Sequence, residues 1–389
     1  MSDELDPGLK ALVKENFTKI ESLFNMKGDN PKSEDDKISE FLDKAIQYLD
    51  KQLSTEQDPI KEFTELNYTP CKDKIISYNR IIFGAPGTGK SYQLKDESQP
   101  QGKPSPFEKI ERVTFHPDYS YGQFVGSYKP VSDNNGKIRY EYVPGPFMRT
   151  LVAALKSGKN GETAKKYLLI VEEINRAKVA AIFGDMFQLL DRTDEGESVY
   201  EIQASEDVRR YLAKELGGTK DNYTSIKLPN NMYIWATMNS ADQGVFPMDT
   251  AFKRRWEFTY LGIDDNEKKI EINKLPVKNP NGEEIDWNIL RKSINALLLQ
   301  ECKVNEDKLL GPFFISGDVF KNATTTKDDF FKAFNSKVLM YLFEDAGKMH
   351  QKKLFAGINQ NELTFSKVCE EFKKEGTKIF GNAFQLVKE

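Results

Sequence analysis

The chain has 389 residues, 39% hydrophobic and 30% charged, with a net charge of −4. That is the profile of a globular chain of two or three structural units. No apolar run approaches the ~20 residues of a membrane span, and Met1–Lys10 is acidic, without the apolar segment of a secretion signal. Cys71, Cys302 and Cys369 are too scattered for a disulfide framework or a CxxC zinc site, and His116 and His350 stand equally alone. These features predict a cytoplasmic protein with no membrane partner. The net charge does not announce a nucleic-acid binder, although a ring-shaped assembly can hold a basic pore within a neutral average.

Residues 1–66 predict a short helical region. Leu9, Leu12, Val13, Phe17, Ile20 and Leu23-Phe24 recur at helical spacing, as do Ile38, Phe41, Leu42, Ala45, Ile46 and Leu49. Residues 1–70 hold 9 Lys, no Arg and 16 Asp or Glu, a balance of −7. Such a surface suits protein docking or bracing better than contact with phosphate backbones.

From 67 to 260 the pattern is strand, loop, helix, repeated. The expected strands are Ile81–Phe83, Val113–His116, Tyr167–Glu172, Met232–Met238 and Trp256–Tyr260. Strands separated by helical stretches predict a parallel sheet covered on both faces. Pro130–Pro146, with Asp133-Asn134-Asn135-Gly136 before Lys137–Tyr142, reads as an inserted turn and hairpin. Asp191–Leu228 is a second charged excursion. Residues 261–389 read as a mostly helical subdomain, with Trp287–Leu299, Asp328–Phe343 and Leu363–Lys374 the clearest helices.

The first strand breaks into Gly84-Ala85-Pro86-Gly87-Thr88-Gly89-Lys90-Ser91, the pattern G-x-x-x-x-G-K-[ST] of a phosphate-binding loop, followed by Tyr92. Glycines let the backbone curl so that successive N–H groups point at phosphate oxygens, and the helix that follows adds its positive end. In that pattern Lys90 reaches the β- and γ-phosphates and the Ser91 hydroxyl binds Mg²⁺. The expected substrate is a nucleoside triphosphate, and the expected metal is the Mg²⁺ it carries.

The apolar run Tyr167–Val171 ends in Glu172-Glu173. At a strand's C-terminal edge these carboxylates face the crevice beside the phosphate loop. Glu172 is predicted to hold Mg²⁺ through water, and Glu173 to orient and deprotonate the attacking water. Asn239 closes the run Met232–Met238, placed for the γ-phosphate or the same water. Arg254 and Arg255 fall where a helix meets the last strand. Either could cap the helix end, or reach into a neighbouring subunit's site.

Glu173-Ile174-Asn175-Arg176-Ala177 through Ile182-Phe183-Gly184-Asp185 to Leu189-Leu190 resembles the McrB-type branch of the AAA+ superfamily. Similar resemblance lies in Phe115–Gly126, in Thr237-Met238-Asn239-Ser240-Ala241-Asp242 with Met248-Asp249 and Arg254-Arg255, and in Leu310–Phe314 and Val338–Asp345. It spans roughly 67–360. It implies an AAA+ P-loop NTPase fold of the α/β class, with a nucleotide-binding core (67–260), a helical lid (261–389) and the short N-terminal region (1–66). It further implies a ring, usually a hexamer, that hydrolyses GTP or ATP as the motor of a modification-dependent restriction system. An McrC-like endonuclease subunit would cut the DNA, reached through the assembled complex, so no nuclease site is expected in this chain. Carried over by position, Lys90 and Ser91 bind phosphate and Mg²⁺, Glu172 and Glu173 do the metal and water work, Asn239 is the sensor, and Arg254 or Arg255 acts in trans. The sequence departs from the family at Glu172, where Asp is usual, and at Gln243 and Lys253, where arginine is frequent. The familiar relatives also carry a sizeable N-terminal DNA-recognition domain, where only the acidic helical segment precedes the core here. Two other readings share the core architecture: a MoxR-like chaperone that remodels a partner protein, and a nucleotide-dependent switch controlling a toxic effector.

Overall fold

The computed structural model describes residues 77–132, 136–158, 164–240, 244–270, 277, 284–315 and 327–387. The chain divides after Glu65, and every described residue lies in the second part, Leu66–Glu389. The expected N-terminal helices, the Asp133–Asn135 turn and Gln243 lie outside the described residues.

Among the described residues nine strands follow in chain order: β1 Asn79–Gly84, β2 Lys109–Thr114, β3 Gly126–Ser132, β4 Ile138–Pro144, β5 Tyr167–Glu172, β6 Ile202–Gln203, β7 Ser225–Ile226, β8 Met232–Asn239 and β9 Glu257–Tyr260. Five form one sheet in the order β2-β5-β8-β1-β9, with every pairing parallel. All five expected strands are present. The second sits earlier than expected: it pairs Lys109–Thr114 with Tyr167–Glu172, and Phe115 and His116 follow it. Sequence alternation there is weak because Lys109, Glu111 and Arg112 are polar on an edge strand, where water replaces a second neighbour.

The central strands are apolar on both faces, as a sheet covered twice requires. Ile82, Leu168, Ile170, Tyr233 and Trp235 pack with Leu94 of the Lys90–Ser98 helix and with Phe107 and Leu261. Ile81, Leu169, Val171, Ile234 and Ala236 alternate with them and are equally buried. The helix Pro146–Gly158 brings buried Leu151, Val152 and Leu155 to the molecule's core.

The inserted hairpin is real. β3 and β4 pair antiparallel, with Tyr128 opposite Tyr142, Pro130 opposite Tyr140 and Ser132 opposite Ile138. These residues share one face of the ribbon. Its outer part stands open: Tyr140 is 72% and Ile138 67% exposed. Its base is anchored, because burial pushes the Tyr142 phenol well above its usual range and the neutral hydroxyl donates to the Val125 carbonyl at 3.2 Å. In the second excursion, β6 and β7 pair around the helix Glu206–Leu216.

Beyond Tyr260 the helical expectation holds, with Trp287–Gln300 and Phe365–Glu375 close to their predicted bounds. The middle helix differs. Lys327–Phe334 is α-helical, but Asn335–Leu339 and Leu342–Ala346 widen into π turns. A separate core fills this subdomain, including Trp287, Leu290, Ile294, Phe334, Leu342 and Phe372. Phe334 is fully buried and stacks on Phe372 with ring centroids 4.6 Å apart. Phe334→Ala is therefore expected to cost about 3–5 kcal/mol of unfolding free energy, measurable by denaturant titration of the full chain. A loss under about 1 kcal/mol would show that this core closes over the cavity.

Candidate functional site

The phosphate loop leaves β1 between β8 and β9, at the C-terminal edge where parallel α/β sheets bind their ligands. Gly87 and Gly89 have φ of +74° and +94°, left-handed conformations that suit glycine. Gly89 is also the N-cap of the Lys90–Ser98 helix, so the helix's positive end begins at the loop. Lys90 is buried, and its Nζ donates to the carbonyls of Gly84 at 3.0 Å and Ala85 at 2.9 Å. The Thr88 hydroxyl also donates to Ala85, at 2.9 Å. The lysine thus folds back over its own loop.

The two carboxylates are handled differently. Glu172 ends β5 and is almost buried. Its Oε2 accepts from the Ser91 hydroxyl at 2.8 Å and the Thr237 hydroxyl at 2.5 Å, and its Oε1 accepts from Arg112 Nη1 at 2.5 Å. Glu173 has φ 55° and ψ 46°, a left-handed conformation rare for a non-glycine residue. That turn carries its side chain out of the strand's alternation. Its Oε1 accepts from Asn239 Nδ2 at 2.7 Å, while its backbone N–H donates to Thr237 Oγ1 at 3.1 Å. Such strain costs of order 1–3 kcal/mol, and it gathers at active sites where surroundings enforce it.

Thr237 and Asn239 are two residues apart on β8, so they lie on one face of the strand. One meets Glu172, the other Glu173. Asn175, buried, donates through Nδ2 to the Asn239 carbonyl at 2.7 Å and fixes the end of β8. The structure therefore brings Lys90, Ser91, Glu172, Glu173 and Asn239 into one crevice. Sequence alone assigns no role to Thr237, Asn175 or Arg112. The i, i+2 spacing of Thr237 and Asn239 was the available signal for the first; Arg112 on a distant strand carried none.

The donor set suits Mg²⁺: a hydroxyl and a carboxylate 2.8 Å apart are hard oxygen ligands, and Mg²⁺ retains most of its water and takes phosphate oxygens for the rest. Among the described residues no group of three or more His, Cys, Asp or Glu side chains could hold a metal by itself.

The two arginines separate. Arg255 is held against Asp191, with Nε and Nη2 at 2.9 and 2.8 Å from Oδ2, and its Nη1 donates to the Ala251 carbonyl. Its guanidinium lies 3.9 Å from the Phe187 ring centroid. Arg254, next along the same turn, is exposed.

The helical subdomain closes on the loop. Trp287, Arg291 and Asn295 recur every four residues, one face of the helix Trp287–Gln300. Trp287 Nε1 donates to the Pro312 carbonyl at 2.8 Å, and Asn295 exchanges two hydrogen bonds with Leu310. Arg291 is fully buried, donating to the Leu310 carbonyl at 3.2 Å and pairing with Asp264 at 2.7 Å. These side chains present Gly311–Phe314 to the phosphate loop. Gly311 N donates to Pro86 O at 2.9 Å and Phe313 N to Gly87 O at 2.7 Å, and Phe313 stacks on Tyr92.

A Cβ at Gly87 would lie 2.6 Å from Phe314 N. Gly87→Ala should combine that clash with about 1–2 kcal/mol of left-handed strain. The expected result is loss of the contact between the loop and Gly311–Phe314 and nucleotide affinity lower by tenfold or more, read by fluorescent-nucleotide titration. Unchanged affinity would show that this contact is dispensable for binding.

A parallel five-stranded sheet, a phosphate loop bridged to a strand-end carboxylate and a second carboxylate held by a strand-end asparagine define a P-loop nucleoside triphosphatase. Residues 79–256 match the AAA domain of the dynein-related subfamily. The type II restriction enzyme BsuMI component YdiS of Bacillus subtilis (strain 168) is 43% identical over 319 residues, covering 76% of this chain and 86% of that one. The EcoKMcrB subunit of a type IV methyl-directed restriction enzyme, from Escherichia coli (strain K12), is 30% identical over 199 residues. That match covers 49% of this chain and 36% of the relative. The chain belongs to the McrB-type AAA+ NTPases. No described helix is long and apolar enough to cross a membrane.

Proposed function

We propose that this chain is the ring-forming motor or regulatory subunit of an McrBC-like restriction or anti-phage defence complex, hydrolysing GTP or ATP with Mg²⁺ and coupled to an McrC-like endonuclease. The observation that carries the hydrolytic part is the division of labour at the end of β5. Glu172 is tied to the loop's Ser91, whereas Glu173 is turned away to Asn239. Bound Mg²⁺ would neutralise phosphate charge beside Ser91 and Glu172. Lys90 and the loop N–H groups bind and orient the triphosphate. Glu173 accepts the proton of the attacking water, and Asn239 fixes Glu173 Oε1 so that the carboxylate points consistently. Exposed Arg254 would reach the neighbouring subunit's nucleotide, while Arg255 braces the turn that carries it. The restriction role is supported by identity extending over 86% of YdiS.

The test is to copurify the chain with the products of adjacent genes and follow ATP and GTP hydrolysis and particle mass with each nucleotide. Stimulation by an endonuclease subunit, in a particle of about six copies, is the expected result. Stimulation by unfolded protein in its place would point to a remodelling chaperone, and slow turnover that nothing stimulates would point to a switch.

The division of the chain suggested by sequence remains part of this proposal: residues 1–66 dock or brace protein, 67–260 bind nucleotide and 261–389 form the lid. With their −7 balance over residues 1–70, the N-terminal residues are not expected to read DNA. In mobility-shift assays at low salt, modification-specific binding should therefore require the assembled complex. Specific binding by this chain alone, in its monomeric state, would overturn that view. The Lys137–Tyr142 stretch is proposed to face the pore or the partner. Removing its open apolar tip with Ile138→Ser and Tyr140→Ser should lower partner-stimulated hydrolysis several-fold and spare the basal rate.

A further inference from the structure

We infer that Arg112 is a positioning residue for the metal-side carboxylate: it holds Oε1 of Glu172 so that Oε2 stays on Ser91. The inference rests on the hydrolytic role proposed above. Glu172 is one methylene longer than the aspartate usual at this position, and the extra torsion lets its carboxylate swing. Two donors, Ser91 and Thr237, converge on Oε2 alone, and two bonds to one oxygen leave the carboxylate free to rotate about it. The third donor removes that freedom.

The sheet register explains why an arginine on β2 can do this. Thr114 pairs with Glu172 and Arg112 with Ile170, so Arg112 is a diagonal neighbour of Glu172 on the same face. A diagonal of ~7–8 Å between backbones is beyond a short side chain and suits a long one. Arg112 Nη1 reaches Glu172 Oε1 at 2.5 Å. An aspartate at 172 would fall short of the guanidinium. Glutamate and arginine thus make a matched pair across β2 and β5.

This is more than a surface ion pair. The Glu172 side chain is 11% exposed while that of Arg112 is 39% exposed, so the carboxylate is the buried member and depends on its donors. Arg112 also lines a cavity of about 380 Å³ with Lys129, Arg149 and Glu111. Arg149 and Glu111 are already paired with each other. Among the described residues no other cation contacts Glu172, so loss of Arg112 leaves Oε1 to water.

Arg112 has two opposing effects on the site. It orients the carboxylate, which favours turnover, and its positive charge offsets part of the negative charge that attracts the metal. Removing it should therefore lower kcat while strengthening the attraction for Mg²⁺. A loss of folding would weaken both.

The experiment compares the full-length wild type with Arg112→Ala, Arg112→Gln and Arg112→Lys. Hydrolysis is measured at saturating nucleotide. Separately, Mg²⁺ is titrated into each protein bound to a fluorescent non-hydrolysable triphosphate, and the affinity for that analogue is measured in EDTA. For Arg112→Ala and Arg112→Gln we expect kcat to fall about tenfold, less than the ~10²-fold that a full ~1 Å misplacement can cost. The half-saturating Mg²⁺ concentration should fall about two- to fivefold, the size of a partly exposed charge contact. Affinity in EDTA should stay within about twofold, within the scatter of such contacts, and Arg112→Lys should recover part of the rate. In a Glu172→Asp background, Arg112→Ala should change neither kcat nor the Mg²⁺ midpoint further. An unchanged kcat and Mg²⁺ midpoint in Arg112→Gln, or an additive effect in the Glu172→Asp background, overturns the inference. If the wild type shows no hydrolysis that Lys90→Ala abolishes, the hydrolytic reading itself fails, and the Mg²⁺ titration still decides whether Arg112 acts on the metal-side carboxylate.

Discussion

Glu173→Gln should bind nucleotide as the wild type does and hydrolyse it at least a thousandfold more slowly, whereas Lys90→Ala should lose binding itself. The two substitutions remove interactions made at different stages. In the mechanism proposed above, Lys90 offsets phosphate charge in the ground state and the transition state alike, so its loss would appear first in affinity. Glu173 would act only on the attacking water, and loss of an interaction present only in the transition state lowers the rate and leaves binding intact. Glutamine keeps the shape of the side chain and an oxygen to accept from Asn239 Nδ2, now 2.7 Å from Glu173 Oε1, but it cannot take a proton. The backbone conformation should survive too, because the Glu173 backbone N–H donates to Thr237 Oγ1 whatever the Glu173 side chain is. Equilibrium binding of a fluorescent triphosphate together with single-turnover hydrolysis separates the two effects. Wild-type turnover by Glu173→Gln would remove Glu173 from the role of base and leave Glu172 as the alternative. Asn239→Ala should fall between Glu173→Gln and the wild type, retaining affinity and slowing hydrolysis, since Asn239 orients the carboxylate without exchanging a proton.

Much of this site was legible in sequence because its chemistry is local. Gly84–Ser91 is contiguous, and the strand before it and the helix after it are both set by short-range pattern. Glu172 and Glu173 stand at the end of an apolar run, and Asn239 ends another, so their common crevice follows from parallel strands whose C-termini share an edge. What sequence could not supply are relations between strands far apart in the chain. Arg112 meets Glu172 only because β2 and β5 are neighbours in register, and no local signal in Lys109–Thr114 marks it. Sequence places the strand too far along the chain for the same reason: its stability comes from pairing with β5, and its own residues are largely polar. Glu173's left-handed turn was equally hidden, since nothing in the side chain favours it and the surrounding structure imposes it. The grip of Gly311–Phe314 on the loop depends on three side chains of Trp287–Gln300 reaching Leu310 and Pro312, a tertiary arrangement that helical periodicity predicts only as a buried face.

The adjacent arginines illustrate the same limit and yield a sharp test. Sequence offered both Arg254 and Arg255 for a role in a neighbouring subunit. The fold gives Arg255 work inside its own subunit: an ion pair with Asp191, a hydrogen bond to Ala251 and a close contact over Phe187, with its side chain 7% exposed. Freeing it for another chain would leave Asp191 without its cation, a cost of several kcal/mol for a partly buried pair. Arg255→Ala is therefore expected to lower thermal stability and to disturb the turn before β9. Arg254→Ala is expected to leave stability alone and to reduce hydrolysis by about 10³–10⁵, the range for loss of a transition-state arginine supplied across an interface. Mixing inactive Lys90→Ala with inactive Arg254→Ala should then restore activity. Some interfaces in the mixed particle pair an intact loop with an intact arginine, and those sites can turn over. The restored rate should rise and fall with the mixing ratio, with a maximum near equal amounts, and hydrolysis by the wild type should climb steeply with protein concentration. Mixed particles confirmed by mass that still fail to hydrolyse would place Arg254 in its own subunit's site. Rescue by Arg255→Ala in place of Arg254→Ala would mean that Arg255 leaves Asp191 on assembly, and that the exposed residue is the brace.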